Sequence, residues 1–91
     1  MATKLIAYDL NSPGQNYDEL IEAIKDLGAW WHHLDSTWLV KSTLTCTAIR
    51  DALGRHIDSG DELLVVDVTE DARAWKGFSA SGSKWLKETW D

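Results

Sequence analysis

The sequence predicts an α+β fold in which two helices cover one face of a four-stranded antiparallel sheet and a Trp-rich tail follows. Three observations carry this. Strand-like and helix-like segments follow the order β-α-β-β-α-β over residues 3–68. Turn residues separate them at short intervals. The strands are apolar on both sides instead of alternating with polar residues, so each face of the sheet needs a cover.

The first strand is Lys4 to Asp9. The first helix runs from about Tyr17 to Leu27, with Asn16 as its N-cap and Glu19 three residues later in a capping-box pattern. Leu20, Ile21, Ile24 and Leu27 form one apolar stripe at helical spacing, and Gly28 stops the helix. Ala29 to Leu34 and Thr37 to Lys41 form a hairpin about the turn Asp35-Ser36, a pattern favoured by their Trp, Val and Thr content. The second helix starts near Cys46 with Thr45 as N-cap, and Ile49, Ala52, Leu53 and Ile57 make its buried face. Asp58-Ser59-Gly60 is a turn, and Glu62 to Val68 is the fourth strand. The tail carries Trp75 and Phe78, then a short helix from about Ser81 to Trp90. This is the ferredoxin-like order.

Side chains alternate across a strand. Leu5 and Ala7 therefore oppose Ile6 and Tyr8, Leu39 opposes Trp38 and Val40, and Leu64 and Val66 oppose Leu63 and Val65. The helices take one side. Trp38 and Val40 are expected on the open side, which a second subunit, the tail, or both would cover. A homodimer is the expected assembly. Six Trp residues suit such packing or an interface better than base stacking.

Ninety-one residues make one domain, 1–91, with a core over 3–68 and a tail over 69–91. The single cysteine, Cys46, has no internal disulfide partner, which fits a reducing, cytoplasmic setting. No apolar run has the length of a membrane span, and the N-terminal residues lack the apolar region of a signal peptide. Nine basic residues against fifteen acidic give a net charge of −6, which disfavours nucleic acid as a partner.

Strand one is expected beside strands three and four, parallel to three and antiparallel to four. That arrangement gathers Asp9, Lys41, Ser42, Thr43, Asp61 and Glu62 at one edge, where both helices also begin. Asp9 and Asp61 could hold Mg²⁺ there, since that ion prefers oxygen ligands. Asn11, Ser12, Ser42 and Thr43 become candidate ligand-binding residues, helped by the helix N-termini. His32 and His33 fall at the other end of the sheet as packing residues, and His56 sits late in helix two. Cys46 reads as a small packed side chain.

The run Leu5-Ile6-Ala7-Tyr8-Asp9-Leu10, the helix ending at Gly28 and the strand start Ser36-Thr37-Trp38 resemble the small CRISPR-associated adaptation subunit of the Cas-two type. VapD-type toxins share that scaffold. A nearer resemblance is to bacterial proteins labelled "SinR family", through Tyr8-Asp9-Leu10-Asn11 with Pro13-Gly14-Gln15, Leu27-Gly28-Ala29-Trp30-Trp31-His32 and Leu34-Asp35-Ser36-Thr37-Trp38. The Cas-two resemblance implies a homodimer in which Asp9 is the metal-binding, catalytic acid of a Mg²⁺-dependent nuclease. The basic residues that usually follow that acid are replaced here by Asn11-Ser12-Pro13-Gly14. The alternative is a non-enzymatic dimeric module that binds a partner protein or a small anionic ligand such as a nucleotide.

Overall fold

The computed structural model describes residues 1–11 and 17–90. Among these the chain forms β1 (Ala2–Asp9), α1 (Asp18–Lys25), β2 (Trp30–Leu34), β3 (Thr37–Ser42), α2 (Cys46–Gly54), β4 (Glu62–Asp67) and α3 (Ala80–Glu88). The strands make one sheet in the order β2-β3-β1-β4, antiparallel at every pairing. The class is α+β, as the sequence predicts, and each element falls within a few residues of its expected place. The expected N-cap Asn16 lies outside the described residues.

The local reasons are legible. Asp18 and Glu19 open α1 and Lys25 closes it, matching the helix dipole at both ends. Thr45 caps α2 by accepting from the Ala48 N–H at 3.1 Å. Ser79 caps α3 by accepting from the Gly82 N–H at 3.2 Å. Gly28 is required by space as well as by conformation. Its φ is +153°, and a Cβ there would lie 2.0 Å from the Lys41 carbonyl oxygen. The same close approach lets Lys41 N–H donate to the Ala29 carbonyl at 2.8 Å as β2 begins.

One expectation is overturned. β1 runs antiparallel to β3, not parallel, with Ala2 opposite Ser42 and Ala7 opposite Thr37. The connections dictate this direction. The α1 crossover returns the chain so that β2 runs the same way as β1, and the two-residue turn Asp35-Ser36 then reverses it. The α2 crossover keeps β4 in the direction of β3. The hairpin therefore lies at the Asp9 end of the sheet, where Tyr8 N–H donates to the Ser36 carbonyl at 3.1 Å. Lys41, Ser42, Thr43 and the start of α2 lie at the opposite end.

The sheet carries a core on each face. On the helix face, Ile6, Tyr8, Trp38 and Val40 pack with Leu20 and Ile24 of α1 and Ile49 and Leu53 of α2. Trp38 and Val40 thus sit under the helices, not on the open side. Ile6 and Trp38 are cross-strand partners and so share a face. The buried Trp38 indole donates to the Tyr8 hydroxyl at 3.0 Å, which meets the need of a polar group removed from water.

On the second face the tail of the same chain covers Trp31 and Leu39, while Leu64 and Val66 of β4, partners of Ala7 and Leu5 on that face, stay exposed. Trp31 and Leu39 pack with Leu86 and Trp90, flanked by half-buried Leu5, Val68, Trp75, Phe78 and Trp85. Burying large side chains of this kind stabilises by roughly 1.5–3 kcal/mol each. Indole N–H groups pin the layer to backbone. Trp31 donates to the Gly82 carbonyl at 3.1 Å and Trp90 to the Val68 carbonyl at 2.9 Å. The Trp90 carbonyl accepts from the Thr3 hydroxyl and from Lys41 Nζ, the latter at 2.7 Å. Arg73 lies over the Trp90 ring at 4.7 Å and donates to the Leu86 carbonyl at 3.0 Å. Among the described residues no helix is long and apolar enough to cross a membrane.

Candidate functional site

The predicted cluster divides because β1 and β3 run in opposite directions. Asp9, Asn11 and Asp61 stay together at one end of the sheet. Ser42 and Thr43 stand at the other, where the buried Ser42 hydroxyl accepts from the Leu44 N–H at 3.2 Å and shapes a turn. The two helices begin at opposite ends for the same reason, so their N-termini do not converge. Ser12 lies outside the described residues.

Asp61 is a loop clamp. One carboxylate oxygen accepts from the Asn11 N–H at 2.7 Å. The other accepts from the Tyr17 hydroxyl and the Asp58 N–H, each at 2.8 Å. Desolvation raises its pKa, and the bonds from Asn11, Asp58 and Tyr17 more than offset this, so the carboxyl lies below its ordinary value. Asn11 is engaged as well, since its side-chain amide donates to the Gly60 carbonyl at 3.1 Å. Both residues tie the β1 exit and the α1 entry to the turn before β4. A metal at Asp61 would have to displace those donors.

Asp9 is exposed and stands opposite Glu62 across the β1–β4 pair. The two carboxylates open on a shallow cleft of about 320 Å³ whose floor includes Ala7 and Leu64. As a donor set for Mg²⁺, Asp9 fits with Glu62, since both are exposed oxygen ligands on paired positions, and Asp61 does not. Among the described residues no group of three or more His, Cys, Asp or Glu side chains gathers in metal-binding geometry.

The histidines are packing residues, as expected, at a different place. They flank the hairpin, which shares the Asp9 end of the sheet. His32 stacks on Trp38 with ring centres 3.7 Å apart and planes 10° from parallel, and its Nε2 lies 3.2 Å from the Asp35 carbonyl. His33 lies against Trp31 and Phe78. His56 faces Glu19 at 3.6 Å, linking α2 to α1. Cys46 is half-buried at the first turn of α2.

The feature the sequence reading missed is a cavity of about 470 Å³ between the tail and the sheet. Trp31, Leu5 and Leu39 form its sheet side, and Trp75, Phe78 and Trp90 its tail side. Arg73 and Lys76 are the charged side chains among the described residues that line it, and both are cations. The available signal was the alternation Arg73, Trp75, Lys76, Phe78 within an otherwise polar stretch, which places aromatic and basic groups on one irregular segment.

No protein-family model matches this chain, and no curated protein or solved structure matches it.

Proposed function

We propose that this chain is a ferredoxin-like, non-enzymatic binding module that receives a small, largely apolar ligand between its tail and its sheet. The observation that carries this reading is the 470 Å³ cavity with aromatic walls. Its volume falls within the roughly 300–1,000 Å³ typical of small-molecule sites. Trp31 and Trp90 are held by indole-to-backbone bonds and Trp75 by a bond to the Ser83 hydroxyl, so the site is formed before a ligand arrives. The test is a titration with 2-naphthol followed through the indole N–H resonances. Saturable shifts at Trp31, Trp75 and Trp90, with Trp38 unmoved on the other face, are the expected result. Shifts that never saturate, or that reach Trp38 equally, would exclude this site.

A second reading rests on the Asp9–Glu62 pair and on the resemblance to the Cas-two type. In it, a homodimer covers the exposed Leu64 and Val66 of the β4 edge, and Asp9 and Glu62 hold Mg²⁺. The ion would supply a Lewis acid for phosphodiester hydrolysis. Magnesium-dependent cleavage of RNA or DNA that Asp9→Ala abolishes would support it. Cleavage that survives Asp9→Ala would remove the site from the chemistry. The acidic chain weighs against a polyanionic substrate.

A further inference from the structure

We infer that the ligand of the tail cavity is a small aromatic carboxylate, its ring among the Trp and Phe walls and its carboxylate at Lys76. The inference rests on the binding-module reading and names the chemistry of its ligand.

Charge is the first argument. The chain carries fifteen acidic and nine basic residues, yet the charged groups described on this cavity are Arg73 and Lys76. A cavity placed at random on so acidic a surface would meet carboxylates more often than cations. Cations among the described lining favour an anion at this place.

The two cations differ in what they are free to do. Arg73 is spent on structure: Nε donates to the Leu86 carbonyl at 3.0 Å, one terminal nitrogen lies 3.4 Å from the Asp71 carbonyl, and the guanidinium covers Trp90. Lys76 is exposed, and among the described residues no carboxylate pairs with it. Its long flexible stem lets the ammonium reach across the cavity mouth to an incoming anion.

Ring geometry is the second argument. Trp31 and Phe78 meet edge to face with centres 4.9 Å apart, and Trp75 and Trp90 complete the aromatic walls. Such walls offer both ring faces and ring edges, and a planar aromatic body finds offset or edge-to-face partners in them. The Trp75 indole is fixed by its bond to the Ser83 hydroxyl at 3.2 Å, so the wall does not need to be ordered on binding.

The test compares 2-naphthoate with the neutral, near-isosteric 2-naphthamide, by calorimetry at pH 7 and low salt. The intact chain is expected to bind naphthoate up to about fivefold more tightly, as a charge pair with the exposed Lys76 ammonium allows. Lys76→Gln should bring naphthoate down to the level of naphthamide and leave naphthamide unchanged. Raising the salt should narrow the gap in the intact chain. Equal binding of the two probes, or a preference that survives Lys76→Gln, overturns the anion assignment and leaves the binding-module reading standing. Failure of both probes to bind overturns both.

Discussion

The two faces of the sheet bury similar side chains in different ways. On the helix face, α1 and α2 present apolar stripes, and Ile6, Leu20, Ile24, Val40, Ile49 and Leu53 are wholly removed from solvent. On the tail face the covering segment is irregular from Thr69 to Ser79 before α3 begins. It covers part of the face with large rings, of which Trp75 and Trp90 are each held by an indole hydrogen bond, and Trp75, Phe78 and Trp85 remain half-buried. Regular helices fill space to the density of a protein interior. An irregular strap of bulky, rigid rings leaves gaps between them, and the 470 Å³ cavity is such a gap. The helix face is sealed, and the tail face carries the cavity on which the proposed binding rests.

That contrast can be broken at its glycines. Gly28 and Gly82 are both close-approach positions, one beside each face. A Cβ at Gly28 meets the Lys41 carbonyl at 2.0 Å, a backbone atom that cannot move without disturbing β3. Gly28→Ala is expected to cost about 4 kcal/mol, in the range where a marginal domain unfolds. A Cβ at Gly82 meets the His33 ring at 3.2 Å, and His33 is an exposed side chain that can turn aside. Gly82→Ala should cost no more than about 1 kcal/mol. Urea unfolding of both variants checks the pair, and equal costs would mean that the tail face is as tightly packed as the helix face.

Core truncations sharpen the same comparison. Leu53→Ala should lose roughly 3–4 kcal/mol, because the sealed helix face cannot collapse onto the void. Leu86→Ala should lose about 2 kcal/mol, near the low end for such changes, since a cavity already adjoins it and the strap can settle. Its effect should be confined to the indole signals of the tail face.

The smallest expected effect concerns the loop clamp. Asp61 has a folded pKa below its ordinary value of 3.8. Its contribution is therefore fully present above the unfolded pKa and is lost as pH falls through the lower folded value. Asp61→Asn should lower Tm slightly at pH 7, and the difference from the parent should shrink as pH falls through the lowered folded pKa of Asp61. A Tm gap that persists in strong acid would mean that Asn disturbs the loop by shape and not by charge.

Much of this arrangement was legible in the sequence. The stripe Leu20, Ile21, Ile24 and the alternation through β1 and β4 report periodicities that local residues determine alone. The two-sided apolar strands correctly demanded a second cover, and Trp75 and Phe78 were visible candidates for it. What escaped were properties of connections and shape. The direction of β3 follows from how α1 and the Asp35-Ser36 turn route the chain, and misjudging it moved Ser42, Thr43 and both histidines to the wrong ends. The face of Trp38 follows from its register with Ile6, which no local pattern states. The cavity depends on gaps among rings on a segment without periodicity. Asp61 was noticed as an acid, but its task as an acceptor for three loop donors needed the folded loop.

The central claim is that the chain's own tail covers Trp31 and Leu39 on the second face, and the exchange of indole hydrogens with solvent tests it most directly. Trp31 and Trp90 are buried and donate to the Gly82 and Val68 carbonyls, whereas Trp30 is 43% exposed. Measured on dilute protein that sedimentation shows to be monomeric, the Trp31 and Trp90 indole hydrogens should exchange far more slowly than that of Trp30. Exchange of all three at the same rate, with protection appearing only as a dimer forms, would contradict it.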